Sequence, residues 1–258
     1  MVQSVQRAAH ILRELAASGR LGVTDLAERL GVSKPAVYAL LRSLEAEGLV
    51  RQDKDNRKYL LGSALLRLGN AYLETHELRS RSVPWAETLA ERTGEAVWVA
   101  VLDDDRYALV VHHAFRQGSG AQILELGASI PWNTSALGKA LVAFLPKLRQ
   151  KELLEGDLAQ LTGQSLVDPV GLADQLEETR QLGYALDDQE SALGEAAIAS
   201  PVFDRAGSPA GAIGVVGPVE RLLTEPARQR HAVAVREVAT LLSRELGAGR
   251  GVAWRVSD

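Results

Sequence analysis

Apolar residues in the first part of the chain recur at helical spacing. Val5, Ala8, Leu12 and Leu15 form one stripe of an amphipathic helix over residues 1–18. Leu26, Ala27 and Leu30 mark a second, short helix, with Thr24 as the N-cap residue expected from its side-chain oxygen. A tight turn at Gly31-Val32-Ser33 follows. Val37, Leu40, Leu41 and Leu44 then return at i, i+3, i+4, i+7, a third helix with Ser33 as cap and Pro35 in its first turn, where a missing N–H costs nothing. At ~100° per residue the opposite face carries Pro35, Tyr38, Ala39, Arg42 and Ser43. That face is small, polar and once cationic. It suits entry into a DNA major groove, and it equally suits a plain hairpin in a small helical bundle.

The period then shortens to two. LVRQD (49–53) and RKYLL (57–61) read as strands around the turn Lys54-Asp55-Asn56. A helix-turn-helix followed by a two-stranded wing is a winged helix. Arg51, Lys54, Arg57 and Lys58 gather on the wing, either to reach phosphates or to protect an exposed sheet edge. Beyond it a helix runs through SALLRLGNAYLETHELRSR (63–81), with Leu65, Leu68, Tyr72 and Thr75 on one side. So narrow a stripe fits pairing with a second copy, or packing on the chain's own body. Pro84 is expected to start a further helix that ends at Gly94.

The remainder mixes both periods. EAVWVAVL (95–102) and YALVVHHAF (107–115) are strands joined through Asp103-Asp104-Asp105, and 123–126 is expected to be a third. A helix follows Ser135, and another spans 171–182 with Asp168 as cap and Gly183 as stop. Strands at 197–203 and 211–217 precede a final helix from about 225 to 246. The pattern is α+β, a sheet with helices on its faces. The expected domains are a winged helix-turn-helix over 1–62, connector and dimerisation helices over 63–94, and an α+β body over 95–258.

Charge sharpens the division. The net charge is −4, but residues 1–62 hold ten Lys/Arg against seven Asp/Glu, or +3, leaving 19 against 26, or −7, for the rest. A basic head on an acidic body points to DNA contact by one end. With no cysteine there is no disulfide framework and no thiolate metal site. No apolar run reaches membrane-spanning length, so a cytoplasmic protein is expected, without membrane partner or cofactor.

Catalytic patterns fail. His112 and His113 are neighbours on a strand, so they point to opposite faces and share no metal. The three aspartates read as a turn. Ser135 has no G-x-S-x-G elbow, and the glycines do not follow a strand in a dinucleotide-binding pattern.

Gln3-Ser4-Val5, TDLAERLGVSKPAVYALLRSLEAEGLV (24–50) and YLLGSALLRLG (59–69) resemble the IclR family of bacterial transcription regulators. The resemblance continues through GASIPWNTSALGKALVAFLP (127–146) and GYALDDQESALGEAAIASPVFDRAG (183–207). HELRSRSVPW, VVHHAFR and ILELGASIPW are similar to the branch that controls glycerol operons in actinomycetes. The resemblance implies an N-terminal winged helix that reads an operator, a C-terminal GAF-like domain that binds a small molecule, and a dimer or a dimer-of-dimers tetramer. It implies a repressor of a catabolic operon acting on a palindromic site. The DNA-facing set it implies is Gln3, Ser4, Thr24, Ser33, Lys34, Pro35, Tyr38, Arg42, Ser43, Arg57 and Lys58.

For the effector, the implied set is Trp132, Asn133, Ser135, Ala136, Leu137, Asp187, Ala197, Gly214 and Val216, with His113, Arg116 and Gln122 as further contacts. Members that sense small 2-oxo acids carry polar side chains where Ala197, Gly214 and Val216 stand here. A carboxylate that lost three polar partners would be poorly satisfied, which argues against an oxo acid. Two ligands remain open. Room at Gly214 and Ala197 would admit a larger, partly apolar metabolite; alternatively, His113, Arg116 and the helix start at Ser135 could hold glycerol 3-phosphate. Asp187 serves equally well as a ligand contact or a loop cap. The competing function is a constitutive or architectural DNA-binding regulator whose C-terminal domain only oligomerises.

Overall fold

The computed structural model describes residues 2–104, 106–116, 118 and 123–249. The chain divides into two compact units, 1–75 and 76–258, so the division falls inside the expected connector, between Thr75 and His76.

The first unit contains α1 (Gln3–Ser18), α2 (Val23–Leu30), α3 (Lys34–Ala46), β1 (Val50–Gln52), β2 (Tyr59–Leu61) and α4 (Ala64–Thr75). Ile11, Leu15, Leu26, Val37, Leu41, Val50 and Tyr59 form its core. The stripe of α1 runs through Ala8, Ile11, Leu12 and Leu15; Val5, expected on it, is 66% exposed, because the core that α1 meets begins only at Ala8. The N-cap of α2 is Gly22, not Thr24. Asp25, three residues on, reaches back to accept the Gly22 N–H at 3.0 Å, half of a capping box, and this moves the helix start one residue before Thr24. Gly31 ends α2 in the left-handed conformation, φ 62°, which opens the tight turn into α3.

Strands β1 and β2 pair antiparallel, Val50 opposite Leu61, and Leu21 bridges to Tyr59. The chain leaves the wing beneath the end of α3. Gly62 N–H donates to Leu49 O at 2.8 Å and Ala64 N–H to Gly48 O at 3.2 Å. A Cβ on Gly62 would lie 2.1 Å from Gly48 O, so only glycine permits this backbone crossing.

The second unit opens with α5 (Glu77–Thr93). Pro84 lies inside this helix and does not begin it. Burial of Leu78, Ala86, Leu89 and Ala90 along one face offsets the lost N–H donor. Strands β3 (Ala96–Asp103), β4 (Tyr107–Ala114), β5 (Ser129–Pro131), β6 (Ala185–Asp188), β7 (Glu195–Phe203) and β8 (Pro209–Pro218) form one antiparallel sheet in the order β5-β4-β3-β8-β7-β6. The expected strand at 123–126 is irregular chain, and the edge strand is β5. Backbone pairing here comes instead from Ala128, whose carbonyl accepts from Val110 N–H, and Gly127, whose N–H meets Val110 O.

Helices α6 (Ala136–Val142), α7 (Lys147–Leu154) and α8 (Pro169–Leu182) lie between β5 and β6; α9 (Val219–Leu222) and α10 (Ala227–Glu245) follow β8. Asp168 caps α8, accepting from Gly171 N–H at 2.8 Å, and Gly183 ends it, as the spacing predicts. Helices α5 and α10 pack together on one face of the sheet, and α6 packs on the other among Ala100, Ala197, Ala199 and Ala212. Among the described residues no helix is long and apolar enough to cross a membrane.

Candidate DNA-reading surface and effector pocket

Helix α3 buries Val37, Leu41 and Leu44 and exposes Lys34, Pro35, Tyr38, Ala39, Arg42 and Ser43, the division its spacing predicts. Ser33 stands at the N-cap position, yet its side chain makes no capping bond. The Ser43 hydroxyl donates to Ala39 O at 3.2 Å, which commits its proton to the helix's own backbone. Gln3 and Ser4 are exposed in the first turn of α1, and Thr24 in that of α2.

Asp53 organises the wing, a role the sequence reading missed. It accepts from Asp55 N–H at 3.0 Å, Asn56 Nδ2 at 3.1 Å and the Arg20 guanidinium at 2.9 Å. The Asp55 N–H first, then Arg20 and Asn56, hold its carboxyl below the usual carboxylate range. Gln52 Nε2 donates to Arg57 O at 2.9 Å, and Arg57 takes φ 57° at the turn. Arg57 and Lys58 thereby project from a braced hairpin. Among the described residues, Lys34, Arg42, Arg51, Lys54, Arg57 and Lys58 make no ion pair within the chain, so their charge is available to an external polyanion.

The second candidate site lies on the α6 face of the sheet. Strand register places His113, Trp98, Gly214 and Ala199 side by side on one rung. The next rung carries Ala96, Val216, Ala197 and Asp187. Four positions expected from sequence, Asp187, Ala197, Gly214 and Val216, therefore neighbour one another. Ala136, Leu137 and Ala197 share one apolar cluster, with Trp98 and Val216 packed against it.

Other expected positions have structural duties. Trp132 belongs to a separate cluster with Val142, Leu172 and Leu176. The Asn133 amide donates to Ala159 O (2.8 Å) and Leu166 O (3.2 Å), and its oxygen accepts from Ala159 N–H, so it pins the 159–166 segment. Ser135 caps α6 through Gly138 N–H. Asp187 accepts from Glu190 N–H at 2.8 Å and from the Ser191 N–H and hydroxyl, which makes it a loop cap. Burial pushes its carboxyl up against these bonds. At Gly214 a Cβ would lie 2.7 Å from both Ala199 Cβ and Ile198 O. The space expected there for a larger ligand is taken by the neighbouring strand. Gln122 lies outside the described residues.

An open pocket of about 570 Å³ adjoins the two rungs. Its described lining includes Trp98, His113, Arg116, Glu125, Glu195 and Val216; Ser135, Ala136 and Leu137 are not among them. His113 Nδ1 accepts from Glu125 N–H at 3.2 Å. Burial, then the neighbouring His112, holds the His113 imidazole below its ordinary value. His112 faces the other way, where burial and then Arg79 on α5 act on it in the same direction. The pair thus divides between the two faces of the sheet, as neighbours on a strand must.

Behind this wall Lys139 is buried in α6, its Nζ 2.5 Å from Glu190 Oε1 and 3.0 Å from Gln175 Oε1. Burial pushes the Glu190 carboxyl up, and Lys139 partly offsets it. This pair ties α6, α8 and the 189–194 loop together. A lysine within a helix of alanine and leucine carried no sequence signal of its destination. Trp98 was also missed, because strand alternation does not say which face a strand turns to its pocket.

Residues 4–54 match the IclR helix-turn-helix domain, and residues 70–244 match the bacterial transcriptional regulator IclR C-terminal domain. The chain is 45% identical over 251 residues to a glycerol operon regulatory protein of Streptomyces griseus, covering 96% of this chain and 98% of that one. It is 30% identical over 238 residues to the transcriptional repressor IclR of Escherichia coli, covering 91% and 87%. In structure it is similar to an IclR transcriptional regulator from Alicyclobacillus acidocaldarius, with TM-score 0.82, 26% identity, and coverage of 96% and 100%.

Proposed function

The chain belongs to the IclR family of bacterial transcriptional regulators, and on that premise we propose that it is an effector-responsive repressor of a glycerol-catabolic operon. As a helix-turn-helix regulator it is a DNA-binding protein and not an enzyme. The observation that carries the DNA-reading part is the exposed face of α3, cationic and unspent, beside a braced basic wing; the pathway is supported by the 45% identity to a glycerol operon regulatory protein. In this reading Lys34, Tyr38, Arg42 and Ser43 meet base edges and adjacent phosphates, with Pro35 and Ser33 at the helix start. Arg57 and Lys58 hold the backbone, and Gln3, Ser4 and Thr24 sit at the flanks.

Two copies bind a palindromic operator, since one winged helix buries little surface and carries half a site. Support for pairing comes from α4, where Leu68 and Tyr72, about one turn apart on the same face, are 61% and 44% exposed. The effector is a small metabolite of the regulated pathway, held beside Trp98, His113 and Val216. It acts through a coupling free energy between pocket and operator. Pairs of dimers, a tetramer, would address longer operators.

Genomic footprinting tests this reading. The expected result is bound palindromes beside glycerol-utilisation genes, with half-sites about one helical turn or a multiple apart, and occupancy that falls when a pathway metabolite is added. Occupancy indifferent to every metabolite would leave a constitutive regulator instead. Sites away from such genes would remove the pathway assignment.

A further inference from the structure

A wing that meets phosphates has no electrostatic use for a carboxylate, yet Asp53 stands at the base of its turn, shortly before Arg57 and Lys58. The backbone of Asp53 closes the hairpin. Its N–H donates to Lys58 O at 2.8 Å, and its carbonyl accepts from Arg57 N–H at 3.0 Å. Its side chain fills the loop so enclosed. Oδ1 accepts from Asp55 N–H at 3.0 Å; Oδ2 accepts from Asn56 Nδ2 at 3.1 Å and from Arg20 Nη1 at 2.9 Å. Asn56 Oδ1 in turn accepts from Lys58 N–H at 2.9 Å. Below the turn, Tyr59 exchanges backbone hydrogen bonds with Leu21, the residue after Arg20. One carboxylate therefore ties the turn to itself and to the segment between α1 and α2.

Arg57 depends on that order. It sits at φ 57°, in the left-handed region that few residues other than glycine, asparagine and aspartate adopt. Such a conformation persists only where the surroundings over-determine it. Released from the turn, Arg57 would return to a right-handed or extended backbone, and its side chain and that of Lys58 would point elsewhere. The Arg20–Asp53 pair is exposed, 58% and 16%, so it adds little to global stability. Its effect is local, on the direction of two cations.

We propose that Asp53 is a positioning residue for DNA binding, a carboxylate that raises affinity for a polyanion by holding Arg57 and Lys58 where they meet the phosphate backbone. The inference rests on reading the wing as a backbone contact. Charge alone demands the opposite sign. Asp53 brings negative charge to the wing and occupies Arg20, so its removal would tighten binding and steepen the salt dependence if position did not matter.

The test measures affinity of the full chain for two duplexes, one spanning a footprinted site and one of scrambled sequence, from about 50 to 200 mM salt. Each phosphate contact contributes about 0.9 to the slope of log K against log salt, so losing one near about 0.1 M weakens binding about tenfold. Asp53→Ala is expected to bind both duplexes about tenfold more weakly, with a slope shallower by about one. Asp53→Asn keeps an oxygen for the Asp55 N–H and loses the charge pair with Arg20, so it should fall between Asp53→Ala and the parent. Arg57→Ala and Lys58→Ala should each weaken binding alone, and far less in the Asp53→Ala background. Unchanged or tighter binding by Asp53→Ala, or full additivity with the two cation variants, overturns the proposal. Weaker binding at an unchanged slope also overturns it, because a loss of folded protein lowers the active fraction and leaves the slope in place. Cation variants that weaken binding while Asp53→Ala does not leave the wing reading standing and this inference fallen. Cation variants without effect remove the wing reading itself, and the inference with it.

Discussion

Helices α3 and α6 both begin after a serine, and they use charge in opposite ways. In α3 the charged residues Lys34, Arg42 and Glu45 are exposed and the apolar ones face a core. In α6 all seven residues are buried, Lys139 included. A cation held in water costs the fold little and is free for a partner. A cation held inside must be neutralised by the fold itself; here Glu190 does so, and Gln175 accepts a second hydrogen bond. One helix leaves its polar residues open to solvent; the other spends them on shape.

The strongest way to break the contrast is Lys139→Met. Removing one partner of a buried ion pair leaves an uncompensated carboxylate, and about 3–5 kcal/mol of stability should be lost. Denaturant unfolding of the full chain checks this, and adding Glu190→Leu should recover part of the loss. A single variant as stable as the parent would mean that the pair carries no such weight. Arg42→Ala should leave that unfolding curve unchanged while weakening operator binding by about 1–3 kcal/mol and relaxing preference at one base position. Equal affinity and preference would remove α3 from the groove.

Acid separates the two units in another way. Burial holds His112, His113 and His231 below the ordinary value of 6.5, so the unfolded state takes up their protons first. Their stabilising contribution is complete above that value and is lost as pH falls through the folded values. Asp187, Glu190 and Glu195 of the same unit are pushed up and act in the opposite sense, so the histidine part is read by difference: between the ordinary value of 6.5 and the folded values, acidification should lower the melting temperature of the parent more than that of a His231→Gln variant. Equal shifts in the two proteins would contradict the assignment. The smallest effect concerns caps. Asp168→Ala, which removes a true N-cap bond on α8, should cost about 0.5–2 kcal/mol, whereas Ser33→Ala should cost less than about 0.5 because its hydroxyl makes no such bond. Equal losses by calorimetry would show that Ser33 caps in solution.

The same contrast explains what the sequence disclosed. The face of α3 could be read from spacing alone, because an exposed helix face depends on helical period and little else. The wing was legible from two short strands and a turn, though not the way Asp53 braces it, since that needs Arg20 from 33 residues away. In the second unit the strands were legible and their neighbours were not. Trp98 acquires its meaning from lying between His113 and Gly214, a relation set by the order of strands. Gly214 reads in sequence as a missing side chain; in the sheet it is filled space. Pro84 misled for a related reason, since a buried helix face can outweigh a local breaker.

The crossing of Gly62 beneath Gly48 has a mechanical consequence. Bonds from Gly62 and Ala64 to Leu49 and Gly48 fasten the root of α4 to the tail of α3 at backbone level, with no side chain between to yield. The two helices form a crank rather than a string. A rotation of α4 about this root should therefore carry the tail of α3 with it, and replacing Gly62 with any bulkier residue should loosen that coupling.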